Sequence, residues 1–311
     1  MKIVFLGTSE LSLPALEMLI SGPHDLVAAI TRPDRPAGRG KKLAAPAVKL
    51  CAREKGVPVF QPADLSEPSF LSELYAAAPD LLVAAAFGGY VPRKVLALPP
   101  RGAINLHPSL LPRYRGAAPV AWALINGERE TGVSVHYLVE KVDAGDILGS
   151  RRVPITPEDD RVTLRERLFA QGAQLLAEVV GEIAAGRQNP HPQDPAGVIR
   201  APRLRREDGL LDWNDPAVGL VNRIRGLQPW PGAVVRLPTE FGLRPIKILR
   251  ARPDPRRIGR PGEVLEAAEN LVIAAGEGGV CLERVQAPGK APLDSASFLR
   301  GCRVILSRIV Q

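Results

Sequence analysis

The stretch NLHPSLLPRYRG, Asn105 to Gly116, decides how this chain is read. In the run that leads into it, Gly102-Ala103-Ile104-Asn105-Leu106-His107, an extended backbone alternates its side chains. Asn105 and His107 then share one face of a strand end, while Ile104 and Leu106 turn to the core. Pro108 and Pro112 can continue neither a central strand nor a helix interior, so the chain leaves the sheet here as an ordered turn. A strand end feeding a loop is where open α/β sheets bind their ligands, which makes Asn105 and His107 candidate site residues.

On the N-terminal side, Met1 to Gly7 reads as a short buried strand, and Leu11, Leu13, Leu16, Leu19 and Ile20 follow at helical spacing. The turn between them holds a single glycine. Without G-x-G-x-x-G or G-x-x-x-x-G-K-[ST], nicotinamide and nucleoside triphosphate chemistry are both disfavoured. Further apolar runs at Leu26 to Ile30, Val57 to Phe60, Leu81 to Phe87, Ala103 to Leu106 and Gly132 to Leu138 alternate with helix-like segments. Repeated βα units of this kind predict an α/β domain with a doubly wound, mostly parallel sheet. Between the second strand and the next helix, Thr31 to Lys42 carries five basic residues against one acid and is rich in Pro and Gly. It reads as a loop too polar to pack, either a bland surface excursion or a clamp for phosphates.

On the C-terminal side, a strand over Thr131 to Leu138 is followed by Asp143 and Asp146 around a small-residue turn, with Asp143 placed to reach back to the sheet edge. An amphipathic helix is expected over Val162 to Ala185, with Leu164, Leu168, Leu175, Val179 and Ile183 on its apolar stripe. Gln188 to Gly197 holds three prolines in a polar decapeptide and reads as an interdomain linker. Beyond it a helical stretch near Val218 to Leu227 precedes short apolar runs at Ala233 to Leu237, Ile246 to Ala251, Glu263 to Leu265, Leu271 to Ala274 and Val280 to Val285. Closely spaced short strands of this sort predict a small barrel.

Composition narrows the function classes. With 311 residues and 45% apolar content the chain can build two cores. The three cysteines, Cys51, Cys281 and Cys302, have neither disulfide-framework nor zinc spacing, so no metal and a reducing compartment are expected. The apolar run before Gly7 is too short for a signal peptide, and no stretch reaches membrane-span length; a cytoplasmic, soluble protein is expected. Residues 189 to 311 hold 19 Lys and Arg against 13 Asp and Glu, six of the eight excess charges. That asymmetry suits a polyanionic partner, and equally an Arg-rich surface that keeps the chain soluble.

An Asn amide donates, His titrates near neutrality and Asp near 4, so Asn105, His107 and Asp143 together can stabilise an oxyanion and move a proton, which suits acyl-type transfer. A serine-hydrolase reading is weak because Ser109 lacks the G-x-S-x-G elbow. His24, His136 and His191 show no metal-ligand spacing and read as structural or surface groups.

Asn105 to Pro112, with Asp143 in VDAGDIL, resembles the signature of the 10-formyltetrahydrofolate-dependent formyltransferases. RPDRPAGRGKKL, LLPRYRGAAP, APRLRREDGLLDW, LQPWPGA and FLRG extend the likeness over nearly the whole chain and are similar to the branch that acts on methionyl-tRNA. The resemblance implies a Rossmann-like catalytic domain (residues 1–188), a linker (189–205) and a C-terminal OB-like tRNA-binding barrel (206–311). It implies a formyl donor, 10-formyltetrahydrofolate, leaving as tetrahydrofolate, and an acceptor, the amino group of initiator methionyl-tRNA; no membrane and a monomer are expected. By position it makes Asn105, His107 and Asp143 catalytic, with an Asn105 amide and a His107 N–H on the oxyanion and Asp143 favouring the charged imidazole. Ser109, Leu110, Leu111 and Pro112, with Gly88 and Tyr90, become folate contacts. Arg35, Arg39, Lys41 and Lys42 fall in the loop that meets the tRNA acceptor stem, and Arg203, Arg205 and Arg206 become phosphate contacts. Phe87-Gly88-Gly89-Tyr90-Val91 departs from the family pattern, which has an aliphatic residue after the glycine at the second position. The rivals are another formyl-folate enzyme acting on a small amine, such as glycinamide ribonucleotide or an amino-sugar nucleotide, or a formyl-folate hydrolase, none of which needs a basic second domain. A rival of another class, an RNA-binding protein with an inactive α/β domain, is opposed by the intact Asn105, His107 and Asp143.

Overall fold

The computed structural model describes residues 1–37 and 42–310, and the chain divides into two compact units. Unit 1 comprises Met1–Gly116, Glu130–Pro154 and Arg165–Arg200; unit 2 comprises Ala117–Arg129, Ile155–Leu164 and Ala201–Gln311. The N-terminal part therefore gives two segments, α5 (Pro119–Ile125) among them, to the second unit.

Unit 1 alternates strands and helices: β1 (Lys2–Leu6), α1 (Leu13–Ser21), β2 (Asp25–Ile30), the short strands β3 (Arg35–Ala37) and β4 (Lys42–Ala44), α2 (Ala47–Glu54), β5 (Val59–Phe60), α3 (Pro68–Ala77), β6 (Leu81–Ala85), α4 (Arg93–Leu96) and β7 (Ala103–His107). Then come β8 (Glu130–Tyr137), β9 (Ile147–Pro154) and α6 (Arg161–Ala184), of which unit 1 holds the residues from Arg165 on. The sheet runs in the order β5-β2-β1-β6-β7-β8-β9. It is parallel from β5 to β7 and antiparallel through β8 and β9. The doubly wound, mostly parallel expectation is met, with an antiparallel edge that the apolar runs did not announce.

Both faces of the sheet are packed, as parallel strands require. Val4, Leu6, Ala28, Ile30, Leu82 and Ala84 meet Phe70 and Leu74 of α3. The stripe expected on α6 is buried at Leu164, Leu168, Leu175, Val179 and Ile183, and each full burial of such a side chain contributes about 1.5–3 kcal/mol. Helix and sheet approach closely at Gly172, where an added Cβ would lie 2.7 Å from a Leu106 methyl.

Two expectations need amending. The basic segment after β2 is not wholly irregular, because β3 and β4 pair antiparallel as Arg35 with Ala44, Pro36 with Leu43 and Ala37 with Lys42. Its base is fastened by Asp34, which accepts from Lys49 Nζ (2.7 and 2.8 Å) and Gln61 Nε2 (2.8 Å). The segment read as a linker (189–205) also has fixed partners: His191 exchanges both backbone hydrogen bonds with Ile147, and Ile199 accepts from Arg115 N–H. Prolines prevent it from joining a regular ladder without preventing isolated pairing.

Unit 2 holds a curled antiparallel sheet of β10 (Ala233–Thr239), β11 (Gly242–Asp254), β14 (Gly279–Gln286), β13 (Leu271–Ala274) and β12 (Val264–Ala267), with β15 (Leu293–Asp294) beside β14. α7 (Ala217–Gly226) and α8 (Ser295–Gly301) join it. The C-terminal segment stitches the two edges: Ile305 N–H donates to the Pro238 carbonyl of β10, and the Arg308 carbonyl accepts from Val264 N–H of β12. The core inside is Leu220, Ile224, Val235, Ile248, Ile273, Leu282 and Val285. α7 packs tightly on α5, where a Cβ on Gly226 would lie 2.8 Å from Ile125 Cγ1.

Candidate active site

β7 delivers Asn105 and His107 to one face, as the alternation requires, with Ile104 and Leu106 buried on the other. The strand stops at Pro108, and the turn after it is tied by small hydroxyls. Ser109 Oγ donates to the Arg113 carbonyl (2.7 Å), Ser134 Oγ donates to the Ser109 carbonyl (2.8 Å) and Leu111 N–H donates to Ser134 Oγ (3.1 Å). Ser109 is fully buried and Leu111 nearly so, while Leu110 and Pro112 are half-exposed. Among the expected folate contacts, the Ser109 side chain thus braces the turn. The other expected contacts lie after β6, where Gly88 has a positive φ of 70° and Tyr90 is exposed. At Gly89 a Cβ would stand 2.8 Å from Phe87 Cε1 and 3.2 Å from the Arg32 guanidinium, so a larger side chain there would require Phe87 to shift.

Asp143, on the loop after β8, joins Asn105 and His107. Its Oδ2 accepts from Gly116 N–H at 2.8 Å and stands 3.6 Å from His107 Nδ1. Its Oδ1 is 3.6 Å from Nε2 of His136, a residue that by sequence alone reads as structural. His136 is fully buried in the site: its Nε2 lies 3.2 Å from Asn105 Nδ2, and its Nδ1 is 2.8 Å from the Tyr137 carbonyl. A carbonyl only accepts, so Nδ1 carries the proton in the neutral ring and Nε2 accepts from the Asn105 amide. The signal for His136 was present in the register, since β8 is the neighbour of β7, with His136 opposite Asn105 and Ser134 opposite His107. Polar residues at alternate positions of Ser134-Val135-His136 show on which face they lie.

His107 is buried and its Nε2 donates to the Tyr114 carbonyl at 3.0 Å, so in the neutral ring Nδ1 is the bare nitrogen turned to Asp143. Burial lowers the imidazole below its ordinary pKa. The negative Asp143 and the Tyr114 carbonyl pull it upward without overcoming that desolvation. Asp143 thus favours the charged ring, as expected, while burial outweighs it, and the His107 Nε2–H faces the Tyr114 carbonyl. Burial pushes Asp143 upward as well, but the hydrogen bond and charge that His136 and His107 offer when protonated, together with the Gly116 N–H, prevail and hold the carboxyl below its ordinary value. The result is an imidazole biased toward its neutral form beside a carboxyl biased toward its ionised form, with the Asn105 amide on their neighbour His136.

The expected tRNA contacts fall on three stretches of the chain. Arg35 is exposed on β3, Lys42 lies in β4, and Arg39 and Lys41 fall outside the described residues. Arg203, Arg205 and Arg206 are exposed in unit 2. Among the described residues no cluster of His, Cys, Asp and Glu has the geometry to hold a metal, and no helix is long and apolar enough to cross a membrane.

Fold and site together define a class. Residues 1–180 match the family model described as Formyl transferase, and residues 203–303 match Formyl transferase, C-terminal domain. A methionyl-tRNA formyltransferase of Moorella thermoacetica is 44% identical over 100% of this chain and 99% of its own length, and one of Trichlorobacter lovleyi is 41% identical over 99% and 96%. The chain belongs to the methionyl-tRNA formyltransferase family. An N-formyltransferase from Helicobacter canadensis, solved with folinic acid and dTDP-3-aminofucose, shares the fold at a TM-score of 0.69 and 17% identity, over 91% of this chain and 98% of that one.

Proposed function

We propose that the chain transfers the formyl group of 10-formyltetrahydrofolate to the α-amino group of initiator methionyl-tRNA, giving N-formylmethionyl-tRNA and tetrahydrofolate. The observation that carries this reading is identity above 40% to methionyl-tRNA formyltransferases through both units, where the likeness to sugar formyltransferases is one of fold alone. The catalytic part is residues 1–188, the connecting segment 189–205 and the tRNA-binding, OB-like part 206–311. This division by role differs from the division by packing. We propose the cytoplasm as its compartment, which suits soluble substrates.

The acceptor amine must be neutral to attack, and an α-amino pKa near 8 leaves a useful fraction neutral at pH 7. Its lone pair bonds to the formyl carbon and the carbonyl electrons move to oxygen. The Asn105 amide has two N–H bonds; one faces His136 Nε2, and the other is available to the oxyanion, where a positioned donor is worth about 3 kcal/mol. His107 Nδ1 takes the proton lost by the amine, and the imidazolium so formed faces Asp143, 3.6 Å away before substrates tighten the site. As the oxyanion electrons re-form the carbonyl, the C–N10 bond breaks with its pair on N10, which takes the proton from the imidazolium, and tetrahydrofolate leaves. Arg35, Arg39, Lys41 and Lys42 act at the acceptor end, and Arg203, Arg205 and Arg206 on phosphates.

The purified chain should formylate initiator methionyl-tRNA from 10-formyltetrahydrofolate and leave glycinamide ribonucleotide and amino-sugar nucleotides untouched. Turnover of a small amine with none on the tRNA would overturn the reading.

A further inference from the structure

Asp143 holds its place against an unfavourable backbone. Its φ is 51°, in the left-handed region, where a residue with a Cβ persists only if its surroundings fix it. The hydrogen bond from Gly116 N–H fixes the carboxylate, and within the loop Ala144 N–H donates to the Lys141 carbonyl at 3.2 Å. The carbonyls of the turn are held from another part of the chain. Gln193, from the polar segment beyond α6, donates through Nε2 to the Asp143 carbonyl at 2.9 Å and to the Gly145 carbonyl at 2.6 Å. One side-chain amide therefore spans the turn that Asp143, Ala144 and Gly145 form. Gly145 has no room to adjust, because an added Cβ would stand 2.0 Å from the Tyr137 carbonyl oxygen.

The amide of Gln193 is itself oriented. Arg115 donates to Gln193 Oε1 from Nε at 2.9 Å and from Nη2 at 2.7 Å. A guanidinium has no acceptor, so the oxygen must face Arg115 and the NH2 must face the two carbonyls. Arg115 directly precedes Gly116, whose N–H holds the Asp143 carboxylate. The backbone and the carboxylate of Asp143 are thus referred to the same short stretch after β7 that presents His107. The backbone of Gln193 is carried by the His191 pairing with Ile147, at the start of β9.

We infer that Gln193 is a positioning residue for the formyl transfer: it holds the left-handed turn at Asp143 so that the carboxylate faces His107 Nδ1. This rests on the function proposed above. Gln193 is distant from the reacting groups in sequence and donates only to backbone oxygens. Its loss therefore affects the chemical step and leaves the surfaces that take folate and tRNA. A reacting group displaced by about 1 Å can cost on the order of 100-fold in rate.

Gln193→Glu separates this role from simple packing. Glutamate keeps the size and pairs with Arg115 through a full charge, but it cannot donate to the Asp143 and Gly145 carbonyls. Formylation of initiator methionyl-tRNA by the full chain should show kcat lowered about 10- to 100-fold in Gln193→Glu and Gln193→Ala. KM for both substrates should stay within about twofold, and the unfolding midpoint should be close to wild type. Hydrogen exchange over residues 139–147 should quicken in both variants, a readout that is independent of activity. Wild-type kcat in Gln193→Glu, a parallel loss of kcat, KM and thermal midpoint, or unchanged exchange in that loop would each overturn the inference. Wild-type protein without formylation activity, but with the exchange effect present, would overturn the proposed function and leave the positioning role standing.

Discussion

Asn105 and His136 face one another across β7 and β8, the amide nitrogen 3.2 Å from the imidazole Nε2. Because Tyr137 occupies Nδ1–H, that Nε2 can only accept while the ring is neutral, and the Asn105 amide is turned with its NH2 inward. Orientation of the donor is therefore set by a side chain with no reacting role of its own. Asn105→Ala should lower kcat for formyl transfer on the order of 100-fold, with the fold intact, since it removes one transition-state donor. His136→Gln, which can still offer an oxygen near the former Nε2, should retain more turnover than His136→Leu. Equal rates in those two would remove His136 from any part in orienting the amide.

His107 gives a prediction about pH. Its folded-state pKa is depressed, chiefly by burial, so between the folded value and the unfolded value near 6.5 the unfolded chain binds the proton and the folded chain does not. Stability then rises with pH: the contribution is fully present above about pH 6.5 and is lost as pH falls toward the folded value. Asp143, also depressed, acts in the same direction at lower pH, below the ordinary carboxylate value. Urea midpoints measured from pH 7.5 to 5 should fall more steeply for wild type than for His107→Asn. Parallel slopes would mean that the buried imidazole is not kept neutral.

The site was legible as far as one strand and one loop could carry it. Alternation in Ala103 to His107 and the prolines after it located Asn105 and His107, and Asp143 followed from its place beyond the next strand. What escaped depended on register and on contacts distant in sequence. His136 becomes a site residue only once β8 is known to lie antiparallel to β7 with these residues paired. Gln193 sits in a segment whose prolines argue for a tether, and nothing local tells that its amide meets two carbonyls about 50 residues earlier. The pull of Asp143 toward a charged His107 was legible, because a neighbouring carboxylate is visible in a sequence, whereas the depth of burial that opposes it is not. In the fold, β9 went unannounced because its residues Ile147 to Pro154 include two arginines and neither alternate nor run apolar. The barrel was read from its short strands, whereas its edges are joined by a C-terminal segment too irregular to read as a strand.

The exposed cations of unit 2 should contribute through phosphate charge rather than chemistry. Replacing Arg203, Arg205 or Arg206 by Ala should weaken binding to any tRNA and reduce the dependence of log Kd on log salt by roughly 0.7 to 0.9 for each phosphate no longer neutralised. Turnover at saturating tRNA should be unchanged. A salt slope equal to wild type in all three variants would place the phosphate path elsewhere on the protein.

The paired strands β3 and β4 are joined at their base by a contact that spans them, since Asp34 stands just before β3 and Lys49 lies in α2, just after β4. Lys49 is mostly shielded, its side chain 11% exposed, so its ammonium depends on Asp34 for a counter-charge. Gln61 Nε2 adds a link from Asp34 to the Arg32 carbonyl, which fixes the end of β2 to the same point. The base of the basic segment is thereby tied to the sheet edge while Arg35 stays exposed. Lys49→Met fills the same space without the charge. It should lower kcat/KM for initiator methionyl-tRNA by about tenfold or more through misplacement of the acceptor end, and change turnover of a minimal methionyl ester little. Arg39→Ala should show the same split, because it removes charge from the basic segment. Equal losses on the tRNA and on the ester in Lys49→Met would mean that the Asp34 contact supports the reacting groups themselves rather than the presentation of the basic segment to tRNA.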